Sequence, residues 1–292
     1  LREDYADLAA LRAAVPGLIL RHNLHGIDID ARCAQIAALA LWMRAQRAFK
    51  DLGISSDARP RIQKTNIVVA EPMPGEPELR REFIATLDSK LGKLVQRVFE
   101  RMELAGEAGS LLKIEDDIRD AVREIYGEHG ELFRESDEDR WHEAEHDVLK
   151  ALHEYAEHAT NGRAYQRRLF AEDAAQGLGL IDLCGQRYDV VLMNPPFGAF
   201  AEPVRAWAAS IWPRTKNDIY AAFVERGIGL LHPRARLGAI TSRTGFFLSS
   251  FEKWREEVLL QEAPPVIVAD LGHGVMDDAM VEAAAYCLER AS

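Results

Sequence analysis

The stretch Tyr188 to Gly198 reads Y-D-V-V-L-M-N-P-P-F-G. Val190, Val191, Leu192 and Met193 form an unbroken apolar run that stops at Asn194-Pro195-Pro196-Phe197, which predicts a buried parallel strand entering a rigid turn. Two prolines fix φ and remove two N–H donors, so the turn presents carbonyl oxygens, one amide side chain and one aromatic face. Ligands of open α/β sheets bind beyond the carboxyl ends of the strands. Function is therefore expected at this turn.

Such a turn suits a planar base that carries an amine. The Asn194 amide oxygen and the Pro195 carbonyl can each accept one proton of an exocyclic NH2, which frees the nitrogen lone pair for attack. Phe197 offers a stacking surface worth roughly 1 to 3 kcal/mol per base. Strand, Asn, two prolines, aromatic and Gly198 occur together and in order, and on these residues the segment resembles the N-P-P-[FY] signature of amino-directed methyltransferases, above all N6-adenine DNA methyltransferases. The resemblance implies that Asn194, Pro195, Pro196 and Phe197 are the catalytic residues.

The chain has 292 residues, 48% of them hydrophobic and 28% charged, an ordinary balance for a globular domain with an insertion. No apolar run is long enough to span a bilayer, and Leu1-Arg2-Glu3-Asp4 lacks the layout of a signal peptide, so a cytoplasmic protein is expected. Cys33, Cys184 and Cys287 lack metal-type spacing and read as small apolar residues. The net charge of −11 is local: Glu76 to Glu157 holds 23 acidic and 12 basic residues. A surface that tracks phosphates needs the opposite sign. That stretch is expected to pack on the rest of the domain or on a partner protein, with DNA recognition encoded beyond Ser292.

Upstream, Leu1, Tyr5, Leu8, Leu11 and Val15 have helical spacing, and Pro16-Gly17 predicts the end of that helix. A strand from Leu24 to Ile29 and a helix from Ala31 to about Phe49 follow, the helix with Ile36, Leu39, Ala40 and Met43 on one face. The connecting G-I-D-I-D places Asp28 where a Rossmann-like sheet carries the acid that binds an adenosine ribose, with Ile29 able to cover the adenine ring. Asp30 reads as a helix cap. The following A-R-C-A-Q-I-A-A-L-A-L resembles the second motif of the same methyltransferases, which strengthens the ribose role of Asp28. Asn66 to Ala70 is a strand ending at Glu71, a candidate partner of the cofactor's adenine amine. Its alternative reading is an exposed loop acid, and Asp173, on a helical face, is the weaker candidate for the same role.

The excursion between Glu71 and the Asn194 turn has helical periods at Phe83 to Val98, Ile114 to Ile125 and Trp141 to Tyr155, with Ser110 as a cap. His142-Glu143-Ala144-Glu145-His146 matches H-E-x-x-H, but the charged helix around it lacks a convincing third ligand, and no zinc is expected at His142 and His146. After the turn, Asn217 is expected to cap a helix. A strand at Leu237 to Thr241 leads to Arg243, which reads equally as a DNA phosphate contact or as a carboxylate partner. Phe246, Phe247, Leu248, Phe251 and Trp254 read as helix packing. Val266 to Asp270 and Glu282 to Leu288 are two last strands, and the resemblance makes them an antiparallel hairpin whose loop places Met276 on the target base, where the family has an aromatic.

From Leu24 to Leu288 the chain resembles the catalytic domain of the N6-adenine methyltransferases of fused restriction-modification enzymes and BREX-type phage-defence systems. This implies an α/β fold, a Rossmann-like S-adenosylmethionine-dependent methyltransferase sheet with strands two to seven present and a helical insertion. The boundaries expected are 1–75 and 185–292 for the two parts of the methyltransferase domain and 76–184 for the acidic insertion. It further implies S-adenosylmethionine as cofactor, no metal, double-stranded DNA as substrate, and partners from a defence system. The D-P-x-x-G-x-G-x-F type loop of the family's first motif does not occur in the sequence, so a chain beginning after the first strand, with feeble cofactor binding of its own, is expected. Methylation of an RNA base or a protein glutamine, or a non-catalytic binding role, are the alternatives.

Overall fold

Two short sheets organise the chain, one in each of two units, Leu1–Leu183 and Cys184–Ser292. The computed structural model describes residues 5–62, 65–126, 137–157, 163–275 and 281–292. No helix among the described residues is long and apolar enough to cross a membrane.

The first unit opens with α1 (Leu8–His22), capped by the Asp7 carboxylate on the Ala10 N–H at 2.7 Å. Contrary to the sequence expectation, the helix continues through Pro16. Proline removes one N–H and costs roughly 3 kcal/mol in a helix interior, whereas fully burying a leucine returns about 1.5 to 3 kcal/mol. Leu20, beyond the proline, is buried with Ala45 and Phe49 of α2 (Ala31–Asp51). Asn66 adds to this by donating its amide to the Arg21 carbonyl at 2.6 Å, near the end of α1. Strand β1 (His25–Asp28) pairs in parallel with β2 (Asn66–Val69), His25 opposite Asn66 and Asp28 opposite Val69.

Helix α2 buries Ala34, Ala45 and Phe49. The face read from its large apolar residues points outward, with Ile36, Leu39 and Met43 all exposed. The buried face instead packs Ala45 and Phe49 with Leu20 of α1, Leu41, Ile54 and Ile62.

The excursion forms α3 (Pro77–Ile84), α4 (Ser89–Arg101), α5 (Ala105–Ala108), α6 (Ile114–Tyr126), α7 (Asp137–Glu157) and α8 (Ala164–Gly185). The period read as continuous from Phe83 to Val98 is broken at Asp88, whose carboxylate caps α4 on Lys90 and Leu91. Phe83, Phe99, Tyr155 and Phe170 share one aromatic core, with ring centroids 5.6 to 6.0 Å apart. Glu82 fastens α3 to α7 and α8 through the Tyr155 hydroxyl at 3.1 Å and Arg167 at 3.0 Å. The chain leaving β2 is seated by Met73, which lies where a side chain at Gly177 of α8 would be, 2.6 Å from its Sδ.

The second unit contains β3 (Tyr188–Met193), α9 (Glu202–Ile211), α10 (Ile219–Gly229), β4 (Leu231–Ser242), a π-helical turn at Trp254–Glu262, β5 (Pro265–Gly272) and β6 (Ala283–Glu289). The sheet order is β3-β4-β6-β5, parallel between β3 and β4 and antiparallel in the last two pairings. One sheet face packs Val191, Met193, Leu237, Ala239, Tyr286 and Leu288 against α10 and the π-helical turn. On the other face, among the described residues, Val190 is 59% and Leu192 79% exposed, so β3, an edge strand expected to be buried, is buried on one side only.

Candidate functional site

Strand β3 delivers the Asn194 turn to the carboxyl end of the second unit's sheet. It can do so because Gly227 lets α10 lie close: a Cβ there would meet Met193 Cε at 2.5 Å and Leu237 Cδ1 at 2.6 Å. Beyond Met193, Asn194 is exposed, Pro195 buried, Pro196 exposed and Phe197 half-buried. Among the described residues, neither the Asn194 amide nor the Pro195 carbonyl has a hydrogen-bond partner within the protein. Two acceptors are thus available beside one ring. Phe197 is set edge-to-face on Tyr220, centroids 6.0 Å apart at 89°. Gly198 ends the turn at φ 110°, a conformation that favours glycine.

Behind the turn stands α10. Its cap is Asp218, not the neighbouring Asn217, whose amide instead donates to the Ser250 carbonyl at 2.7 Å. Asp218 Oδ1 accepts the N–H groups of Tyr220 at 3.2 Å and Gly198 at 3.0 Å. Burial pushes the Asp218 carboxyl above the usual carboxylate range, against the pull of these bonds. Tyr220 packs on Phe251 and Trp254, and burial likewise raises its phenol.

In the first unit, Asp28 and Glu71 stand at the carboxyl ends of adjacent parallel strands, and the Ala70 N–H bonds back to the Asp28 carbonyl at 2.8 Å. One Asp28 oxygen accepts the Asp30 N–H at 2.8 Å, which fixes the carboxylate and leaves its second oxygen for a hydroxyl. Ile29 is 60% exposed and borders Gly109, where a Cβ would meet its Cγ2 at 3.3 Å. Asp30 caps α2, as its spacing predicts, and holds Arg32 at 2.8 Å. Glu71 is exposed. A fixed carboxylate beside an exposed aliphatic surface fits the ribose and adenine of an adenosine cofactor. Asp173, the weaker alternative to Glu71, lies on α8 and is exposed, its carboxyl raised by partial burial and by Glu76 and Glu172.

Arg243 follows β4 at the same sheet end as the Asn194 turn, because Met193 pairs with Ala239 in parallel. Its guanidinium meets Asp270 at 2.6 Å and also pairs with Glu282. Of the two readings open from the sequence, this geometry matches the carboxylate partner. Met276 lies outside the described residues. Phe251 and Trp254 are buried, whereas Phe247 and Leu248 are exposed, so the expected aromatic packing holds for only part of that cluster. In the H-E-x-x-H segment, His142 converges with Glu145 and Asp182, their ligand-type atoms lying within 4.8 Å of one another, and His146 is not in the group. Sequence reasoning missed Asp218 and Tyr220 as supports of the turn. The preference for Asp as an N-cap directly before an apolar helix was the signal that could have found the first.

Two curated relatives are each 24% identical to this chain: the adenine-specific methyltransferase BrxX of Escherichia coli O9:H4 (strain HS), over 93% of the chain and 22% of the relative, and the adenine-specific methyltransferase PglX of Lacticaseibacillus casei (strain Zhang), over 87% and 19%. The chain thus spans about a fifth of their length. Among solved structures, a Listeria monocytogenes protein described as a class I S-adenosylmethionine-dependent methyltransferase is similar at 11% identity and a TM-score of 0.32, covering 74% of this chain and 89% of that one. The model of the Eco57I restriction-modification methylases matches residues 22–272, most of the sequence and both units, and the chain belongs to that family.

Proposed function

We propose that the complete protein transfers a methyl group from S-adenosylmethionine to N6 of an adenine in double-stranded DNA, in restriction-modification or phage defence. The observation that carries this reading is the turn Asn194-Pro195-Pro196-Phe197, with two uncommitted acceptors and a braced ring at a strand's carboxyl end. The cofactor, when bound, supplies an electrophilic methyl on a sulfonium. Asp28 holds the ribose and Ile29 covers the adenine of that cofactor, with Glu71 placed for its amine.

For the substrate, flipping the target base out of the duplex costs a few kcal/mol, and stacking on Phe197 offsets part of this at about 1 to 3 kcal/mol. Asn194 and Pro195 each accept a hydrogen bond from one N6–H, which localises the lone pair on the nitrogen for attack. As the N–C bond forms, the S–C bonding pair stays on sulfur as a thioether and one N6 proton is released to water. The developing positive charge on N6 strengthens both bonds, so they stabilise the transition state more than the ground state. The acidic helices between Glu76 and Glu157 are assigned to packing within the protein or against a partner of the defence system, and Met276 to the far side of the base.

The test is a product assay. The complete protein is incubated with labelled cofactor and separately with unmethylated duplex DNA, RNA or protein. N6-methyladenine in the DNA digest supports the proposal, and label confined to RNA or glutamine refutes it.

A further inference from the structure

We propose that Asp218 is a positioning residue for the catalytic turn, clamping Gly198 so that Asn194 and Phe197 are held in one geometry. The inference rests on the reading of this turn as the acceptor of the target amine. Helix caps ordinarily serve N–H groups of their own first turn. Here one oxygen of Asp218 serves two chain segments: the Tyr220 N–H in α10 at 3.2 Å and the Gly198 N–H, 20 residues upstream, at 3.0 Å. The main chain closes the ring, the Ile219 N–H donating to the Gly198 carbonyl at 2.8 Å.

Three contacts therefore join the end of the turn to the start of α10, the third being the edge-to-face seat of Phe197 on Tyr220. Each acts on a different degree of freedom. The Gly198 N–H and carbonyl bonds fix both peptide planes of a residue whose φ of 110° is open to wide excursions in glycine. The ring contact fixes the rotation of Phe197. With both prolines setting φ on the other side, Asn194 is held between a strand and a clamp. A carboxylate in this half-buried place suffers desolvation, and its return is that a charged acceptor makes stronger bonds to two N–H groups than a hydroxyl makes to one.

Three variants of the complete protein separate clamp from cap. Asp218→Asn keeps an Oδ1 that accepts both N–H groups. Asp218→Ser keeps a good helix cap on a shorter side chain that cannot reach across to Gly198 while capping Tyr220. Asp218→Ala removes both. Methylation of unmethylated DNA is measured as kcat and KM, normalised to folded protein by thermal melting, beside amide hydrogen exchange of the 194–200 segment.

The expected result is a loss of at least tenfold in kcat for Asp218→Ser and Asp218→Ala, with the cofactor KM unchanged and faster exchange at Gly198. Asp218→Asn should recover most of the rate and the protection. If Asp218→Ala fails to fold, Asp218→Ser decides. Wild-type kcat and protection in Asp218→Ser, or no recovery in a folded Asp218→Asn, overturn the proposal. A wild-type protein that methylates no DNA adenine sinks the functional reading instead, and the exchange measurement still decides whether the clamp exists.

Discussion

Tyr220 sits behind Phe197 with its hydroxyl buried; Thr244 and the Gly245 backbone face it, but it makes no hydrogen bond of good geometry among the described residues, which makes it the residue whose alteration is most informative about the site's support. A buried hydroxyl so weakly bonded recovers little of a burial cost on the order of 1 to 3 kcal/mol, so Tyr220→Phe should leave stability nearly unchanged. Gly245 is the counterpart. A Cβ there collides with the Tyr220 hydroxyl and lies 2.9 Å from Trp254 Cζ3, both atoms on rigid, fully buried rings. The backbone cannot retreat easily, because the Gly245 carbonyl holds Arg255 Nη1 at 2.7 Å. Overpacking of this kind costs about 1 to 3 kcal/mol, and we expect Gly245→Ala near the upper end. Removing the hydroxyl relieves the first collision but not the second, so the double variant should recover about 1 kcal/mol relative to the sum of the singles. Urea unfolding followed by near-ultraviolet circular dichroism reads this cycle. A cost of Gly245→Ala that is the same in the Tyr and Phe backgrounds would refute the reasoning.

Arg214 bonds Glu225, which is only 9% exposed, at 2.6 Å and also pairs with Glu262. Arg214→Met should lower stability by about 3 kcal/mol in urea unfolding by stranding a buried carboxylate, and adding Glu225→Gln should recover part of it; a loss below 1 kcal/mol would contradict this. Two carboxyls should show opposite pH signatures. Tyr155, with Arg167 and Arg163, holds the Glu82 carboxyl below its usual range, so its contribution is present at neutral pH and lost as pH falls through the carboxylate range, and Glu82→Gln should flatten that acid slope. The Asp218 carboxyl is raised, so its contribution is full at acid pH and lost as pH rises through its folded value. Asp218→Asn should therefore gain on the wild type in melting temperature between acid and neutral pH, and a gain toward acid would reverse the assignment. Elemental analysis of purified protein should find no stoichiometric zinc. Zinc present in the wild type and lost in His146→Ala or in His142→Ala, the histidine that converges with Glu145 and Asp182, would overturn that expectation.

What the sequence made legible were features with a local physical cause. An apolar run stopped by Asn-Pro-Pro is a strand and turn in almost any context, and β3 is parallel to β4 as read. The acidic caps at Asp30 and the strand-end acids Asp28 and Glu71 likewise follow from neighbours in the chain. Illegible features depended on distant partners. That Pro16 lies inside a helix depends on Leu20 meeting Phe49, and that α2 buries Ala45 and Phe49 depends on the same meeting with α1. Arg243 could be read as a phosphate ligand until Asp270 and Glu282 were seen beside it. Asp218 looked like any residue before a helix, because its second bond goes to Gly198, 20 residues away in the chain.

The central claim is that Asn194 and Pro195 accept the protons of an adenine amine. Its most direct measurement is the N6-methyladenine formed by the complete protein and by its Asn194→Ala variant on unmethylated DNA, quantified in nucleoside digests beside calorimetric binding of S-adenosylmethionine. The account predicts that Asn194→Ala loses more than nine-tenths of the methyl transfer, about 1.4 kcal/mol or more of transition-state stabilisation, while cofactor affinity stays at the wild-type level. A variant that keeps more than a tenth of the activity, or one that loses cofactor binding in parallel with turnover, would contradict it.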